Sequence, residues 1–84
     1  MPPPRRIKPR SPEHAALGEA VRVLRTKAGL SQEQLAERAA TDLTQVGGVE
    51  RGVRNPSYTT LLRLAAALET SVGELTGLAD RLRG

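Results

Sequence analysis

The sequence predicts an all-α domain, a compact five-helix bundle built around a central helix-turn-helix. Three observations point to it. Apolar residues recur at intervals of three and four along most of the chain, the spacing of one helix face. Ser11, Ser31, Asp42, Ser57 and Ser71 each stand just ahead of such a stretch, where a side-chain oxygen can cap a helix start. The stretches follow one another so closely that no room is left for a sheet. With 84 residues the chain makes one small domain, of a size that buries roughly 60–65% of the surface its unfolded form exposes.

Residues 1–10, MPPPRRIKPR, form a separate basic segment, which composition marks as a disordered arm ahead of a domain over 11–84. Prolines at 2, 3, 4 and 9 remove backbone donors and restrict their neighbours, so the segment is not helical. It holds Arg5, Arg6, Lys8 and Arg10 and no acid, four of the thirteen basic residues, leaving nine bases against nine acids elsewhere. The body is therefore formally neutral, and attraction for phosphates must come from local placement or from the arm. Two readings of the arm are open and compatible: a solvated tail, or a strand that follows a DNA backbone or enters the minor groove.

The first helix starts with Ser11 as cap, Pro12 at the first helical position and Glu13 near the positive end. It runs to Ala28 with Leu17, Val21, Leu24 and Ala28 expected inward. Gly29 stops it, with Leu30 placed for the hydrophobic contact of a C-terminal cap. His14 falls on the first turn, expected as a solvated residue. There is no second His and no Cys to share a metal with it.

Ser31 opens the second helix and Gln34 completes the capping-box pattern. Leu35, Ala36 and Ala39 share one face, opposite Gln32, Glu33, Glu37 and Arg38. Ala36 is small where two steeply crossing helices need a small residue. After a break at Ala40-Thr41, Asp42 caps a third helix, about 42–51, whose buried face is Val46 and Val49. Gly52 ends it and Asn55-Pro56 makes a loop. Two short helices joined by so tight a turn read as a helix-turn-helix.

Ser57 caps the fourth helix, Tyr58 to about Glu69, with Leu61, Leu64, Ala65 and Leu68 inward and Leu62 at the edge. Ser71 and Glu74 form a second S-x-x-E pattern, starting a last helix that carries Val72, Leu75, Leu78 and Leu82 at intervals of three and four.

The wording of the central stretch goes beyond this generic pattern. GLSQEQLAERA followed by VERGVRNPS resembles the Cro/repressor-type (XRE) helix-turn-helix family of DNA-binding transcriptional regulators. The resemblance runs from about Leu17 to Leu75. It is strongest at Leu30-Ser31-Gln32-Glu33, Leu35-Ala36, Glu50-Arg51-Gly52 and Arg54-Asn55-Pro56. In length and in its VGGVERGVRN stretch the chain is also similar to small controller proteins of restriction–modification systems.

The resemblance implies a lambda-repressor-like fold, with Arg25 on the first helix paired to Glu50 at the end of the third. An arginine fork holding a carboxylate in two bonds fits that role. It also implies double-stranded DNA as partner, with the third helix in the major groove and the second across the backbone. Asp42, Leu43, Thr44, Gln45, Gly47 and Gly48 are then expected to face the DNA. Gln45 is the best direct reader, since its amide can pair with adenine N6 and N7. By resemblance Gln32 holds a phosphate and braces the readers. Arg51, Arg54 and Asn55, with Arg5 and Arg6 of the arm, are placed for backbone contacts that orient without specifying sequence.

Two features depart from the family's pattern. Ala40 stands where the turn usually has Gly, and Thr41 where an apolar residue usually follows. A left-handed Ala40 costs roughly 1–2 kcal/mol. Gly47-Gly48 lies inside a helix, each residue about 1 kcal/mol worse there than Ala. Close approach of helix and DNA, or a tolerated weakness held by tertiary packing, are both readings of the pair.

Catalysis is not expected: no paired carboxylates, nucleophile–base set, metal cluster or phosphate-binding glycine loop occurs, and neither a cofactor nor a metal is called for. With Tyr58 the only aromatic, the composition argues against a base-stacking platform, an aromatic cage or a large ligand pocket. No apolar run approaches the roughly 20 residues of a membrane span. A bacterial cytoplasmic regulator is the simplest expectation. Val72, Leu75, Leu78 and Leu82 exceed what closing the core requires, family members of this length commonly dimerise there, and a homodimer on a palindromic site is expected. Leu78 is expected to be the most exposed of the four. The competing function is an antitoxin-like module using the same fold, with a toxin or another regulator as its protein partner.

Overall fold

The computed structural model describes residues 8–84. Five helices follow in order: α1 Pro12–Lys27, α2 Gln32–Arg38, α3 Leu43–Glu50, α4 Tyr58–Ala67 and α5 Val72–Arg83. Among the described residues there is no strand.

Every helix starts as its cap residue dictates. The Ser11, Ser31, Ser57 and Ser71 hydroxyls and the Asp42 carboxylate each accept the backbone N–H three residues on, at 2.7–3.1 Å. At Ser31 the box is reciprocal, because the Ser31 N–H donates to Gln34 Oε1 at 2.8 Å. At Ser71 it is not: the Glu74 carboxylate accepts from the Ser71 hydroxyl instead of reaching the backbone.

The first four helices also end alike. A left-handed residue stands at each end, Gly29, Ala40, Gly52 and Glu69, with φ of +74°, +52°, +74° and +56°. The N–H of the next residue then returns to a carbonyl five positions back: Leu30 to Arg25, Thr41 to Ala36, Val53 to Gly48 and Thr70 to Ala65. Ala40 therefore does adopt the left-handed conformation that its place in the turn demands.

The core gathers Leu35, Leu64, Leu75, Val21, Val46 and Val49, all fully buried, with alanines from α1 and α2 between them. α1 packs most extensively on α5 and next on α3, while α2 packs on α3. The inner face of α1 differs from the expected one. Its buried residues are Ala16, Gly18, Ala20 and Val21; Leu17 and Leu24 are only partly buried, and Ala28 is exposed as the C-terminal cap. The reason is proximity. A Cβ placed on Gly18 would lie 2.3 Å from the Val49 carbonyl oxygen and 2.4 Å from that of Glu50. α1 can present only its smallest residues where its backbone meets the end of α3.

The leucine stripe of α5 also divides differently. Leu75 is fully buried and joins Ala79 in the core, so it is unavailable to any partner. Val72 and Leu78 are partly buried, and Leu82, 45% exposed, is the outward leucine in place of Leu78. Arg83 at the end of this helix pairs with Glu13 at the start of α1, at 2.9 Å.

Candidate nucleic-acid interface

The outer face of α3 begins with Asp42, Leu43 and Thr44, all exposed, followed by a half-buried Gln45. Val46 and Val49 point into the core, which fixes the rotation of the helix and turns its start outward. Leu43 is 44% exposed, an apolar side chain in water beside two polar ones.

Gly47 and Gly48 are not open faces, as the sequence had suggested; both are buried. The covering atoms belong to arginines that follow in the chain. Arg51 Nη1 lies 3.0 Å from where a Gly47 Cβ would stand, and Arg54 Cγ 2.2 Å from a Gly48 Cβ. Two residues expected beyond the helix thus fold back across it, and the Arg51 guanidinium and the Arg54 stem occupy the surface that bare glycines would have offered.

Behind this face lies a polar cluster joining three helices. The Glu50 carboxylate accepts from Arg25 Nε at 2.6 Å, Arg25 Nη2 at 3.0 Å and Gln32 Nε2 at 3.0 Å. Arg25 Nη1 donates to the Leu30 carbonyl at 2.8 Å, tying the turn before α2 into the same cluster. The carboxylate side chain is only 4% exposed and the guanidinium 16%, so the pair is largely withdrawn from water. Its hydrogen bonds to Glu50 hold the Arg25 pKa above the ordinary arginine value, with burial opposing and the Glu50 charge assisting. Gln32 is therefore oriented from behind by Glu50, with one amide N–H still able to donate outward.

A second link starts at the other end of α1. His14 is half-buried rather than solvated. Its Nδ1 is 2.7 Å from the Ser11 hydroxyl and its Nε2 3.2 Å from Asn55 Oδ1. The neutral tautomer that fits both contacts has the hydroxyl donating to Nδ1 and Nε2–H donating to Asn55. With Oδ1 engaged, Asn55 is left to donate through its amide nitrogen. Nearby, the Arg10 backbone N–H donates to the Gly52 carbonyl at 2.8 Å, rooting the basic arm beside the end of α3. Lys8, Arg10, Arg51, Arg54 and Asn55 are all exposed. Arg5 and Arg6 lie outside the described residues.

Sequence reasoning missed Gly18 and His14. A glycine in mid-helix, unfavourable unless a backbone comes close, was the available signal for the first. Serine three residues before a histidine at a helix start was the signal for the second. The reach of His14 to Asn55, 41 positions away, had no local signal.

Among the described residues, no group of acidic or histidine side chains could hold a metal ion, and no helix is long and apolar enough to cross a membrane.

Comparison with known proteins places this geometry in context. The helix-turn-helix family HTH_3 matches residues 21–75. Control protein C.SmaI of Serratia marcescens is 51% identical over 59 residues, 70% of each chain. Among solved structures, the restriction-modification controller protein C.AhdI from Aeromonas hydrophila is similar, with a TM-score of 0.76 and 46% identity over 77% of this chain and 98% of that one. The controller protein C.Esp1396I, solved as a tetramer in complex with its natural 35 base-pair operator, aligns with a TM-score of 0.79 and 25% identity, covering 87% of this chain and 96% of that one.

Proposed function

Because this chain belongs to the XRE-type helix-turn-helix family, we propose that it is a sequence-specific DNA-binding transcriptional regulator of the controller kind. It reads the major groove with α3, works as a homodimer on a palindromic site, and acts in the bacterial cytoplasm without catalysis. One observation carries this reading: exposed Leu43 and Thr44 open α3, and two exposed arginines fold back over the same helix. The controller relatives support it, and nothing in the geometry favours the antitoxin-like alternative.

In this reading Gln45 reads a base edge through its amide, and Leu43 or the Thr44 methyl meets a thymine methyl. Asp42 caps the helix at the groove's edge. Gln32 holds a phosphate while braced by Glu50, and Arg51, Arg54 and Asn55 contact the backbone alongside. Selection of bound duplexes from a random pool tests it. A twofold-symmetric site with half-sites about 34–36 Å apart is expected. Recovery of DNA with no preferred sequence rejects the reading.

The arm adds a salt-dependent term. Log affinity falls with log salt by about 0.9 per phosphate neutralised. Removing residues 1–7 takes away Arg5 and Arg6, so the slope becomes shallower by up to about 1.8. An equal slope before and after removal would mean that these two arginines do not touch DNA.

The homodimer is assigned to Val72, Leu78 and Leu82, the members of the α5 stripe that the core leaves available. An outward apolar edge suits isologous burial against a second copy. Leu82→Glu should give a folded, helical monomer in sedimentation, with weakened binding to the palindromic site. A wild-type protein that stays monomeric at tens of micromolar and binds a single half-site equally well excludes this interface.

A further inference from the structure

We propose that Gly48 is a positioning residue for DNA binding: its bare Cα is a seat that holds the Arg54 side chain against α3 before DNA arrives. The inference rests on the DNA-binding reading above and deepens it. It explains why a glycine occupies the interior of a short helix, where it is among the poorest residues for helix formation.

Gly48 fixes Arg54 twice. Its carbonyl accepts the backbone N–H groups of Val53, at 3.0 Å, and of Arg54 itself, at 3.2 Å, which sets where the arginine leaves the chain. The stem then lies across the glycine. A Cβ there would stand 2.2 Å from Arg54 Cγ and 3.2 Å from both Cδ and Nε. Gly47 is a useful contrast. A Cβ on it would come tight only against Arg51 Nη1, at 3.0 Å, the far end of a flexible side chain, with Gln32 Oε1 at 3.8 Å in ordinary contact. Two adjacent glycines thus have different duties, and only Gly48 supports the root of an arginine.

The head of Arg54 is unused. Among the described residues its guanidinium makes no hydrogen bond or ion pair, and the residue is exposed. A fork of five donors is therefore carried on a stem that packs against α3. Ordering a long side chain normally opposes association. Here the seat on Gly48 supplies part of that ordering in the free protein, so the arginine meets a phosphate or a base edge at a smaller loss of freedom.

The test combines a measurement without DNA and one with it. In the free protein, 15N relaxation at Arg54 Nε should report an ordered side chain in the wild type and a mobile one in Gly48→Ala. Against the duplex selected by the wild type, Gly48→Ala should lower affinity roughly three- to tenfold, the weight of one rotamer-rich side chain to be ordered on binding. Its melting temperature should be unchanged or raised, since alanine favours the helix. In an Arg54→Ala background the Gly48→Ala change should have no further effect.

Wild-type affinity in Gly48→Ala overturns the proposal, as does an equal loss with Arg54 already removed, which would mean that the methyl strikes DNA directly. An unfolded Gly48→Ala variant overturns it too, since the methyl must then meet more than a side chain. If the wild type selects no DNA sequence, the DNA-binding reading fails and takes the proposed role with it. The Nε relaxation still separates that result from a failure of the seat itself.

Discussion

Gly18→Ala is expected to destabilise the domain by about 2–3 kcal/mol, toward the upper end of what overpacking a well-filled site costs. For a domain of this size that lowers the melting temperature by roughly 8–24 °C. The added methyl would stand 2.3 Å from the Val49 carbonyl oxygen, 2.4 Å from the Glu50 oxygen and 2.7 Å from the Glu50 carbonyl carbon. All three are backbone atoms, so no change of rotamer relieves the contact and α1 and α3 must separate. Separation loosens Val21 and Val49 in the core and lengthens the reach from Arg25 to Glu50. The alanine also brings a helix-propensity gain of about 1 kcal/mol, which partly offsets the clash. A rise in melting temperature would show that this gain is all that happens and that the helices do not meet at Gly18. Gly18→Val, larger and β-branched, should be worse than alanine in the same assay.

Breaking the Arg25–Glu50 pair is the second large effect, and the two sides are unequal. Arg25→Ala strands a carboxylate that is 4% exposed and leaves it only the Gln32 amide. Removing one partner of a buried pair costs about 3–5 kcal/mol. Glu50→Ala should be milder, because Arg25 keeps the Leu30 carbonyl and is 16% open to water. The double variant should cost less than the two singles together, as groups in one hydrogen-bonded network do. Urea unfolding of the three variants supplies the cycle. Two equal, small and additive losses would mean that the pair contributes nothing to the fold. DNA affinity should fall in Glu50→Ala even where folding is complete, since Gln32 loses its brace.

What could be read from the sequence, and what could not, divides along distance in the chain. The five helix starts were legible because a cap and its partner are three residues apart and the chemistry is local. Val46 and Val49, Leu35 and Ala36 were legible because large or small apolar residues at helical spacing can face only one way. The α1 face was misjudged at Ala28 and underweighted at Ala16 and Ala20. Apolar periodicity favours large side chains, whereas the space there is set by the α3 backbone, which no spacing within α1 reveals. Leu82 took the outward place expected of Leu78, and Leu75 went wholly into the core, for the same reason: a stripe of leucines says which face is apolar, not how far along it the core extends. Gly47 and Gly48 were expected to be open but are buried, because the arginines that cover them follow a turn whose return path only the folded chain displays. His14 shows the limit plainly, because its partner Asn55 lies on another element.

The packing of α1 on α5 has a consequence for the order of events during synthesis. The first and last helices form the most extensive interface of the domain, and Leu75 and Ala79 cover a core that α1 helps to build. While a ribosome is still making α4, the caps and turns of the earlier helices can form, yet Val21 and its neighbours have no lid. Isolated helices this short are marginal in water, so such intermediates gain little from local structure alone. Cooperative folding therefore waits until α5 has cleared the exit tunnel. A chain that stops before α5 therefore leaves Val21 and its neighbours without their cover, however well the earlier caps and turns are made.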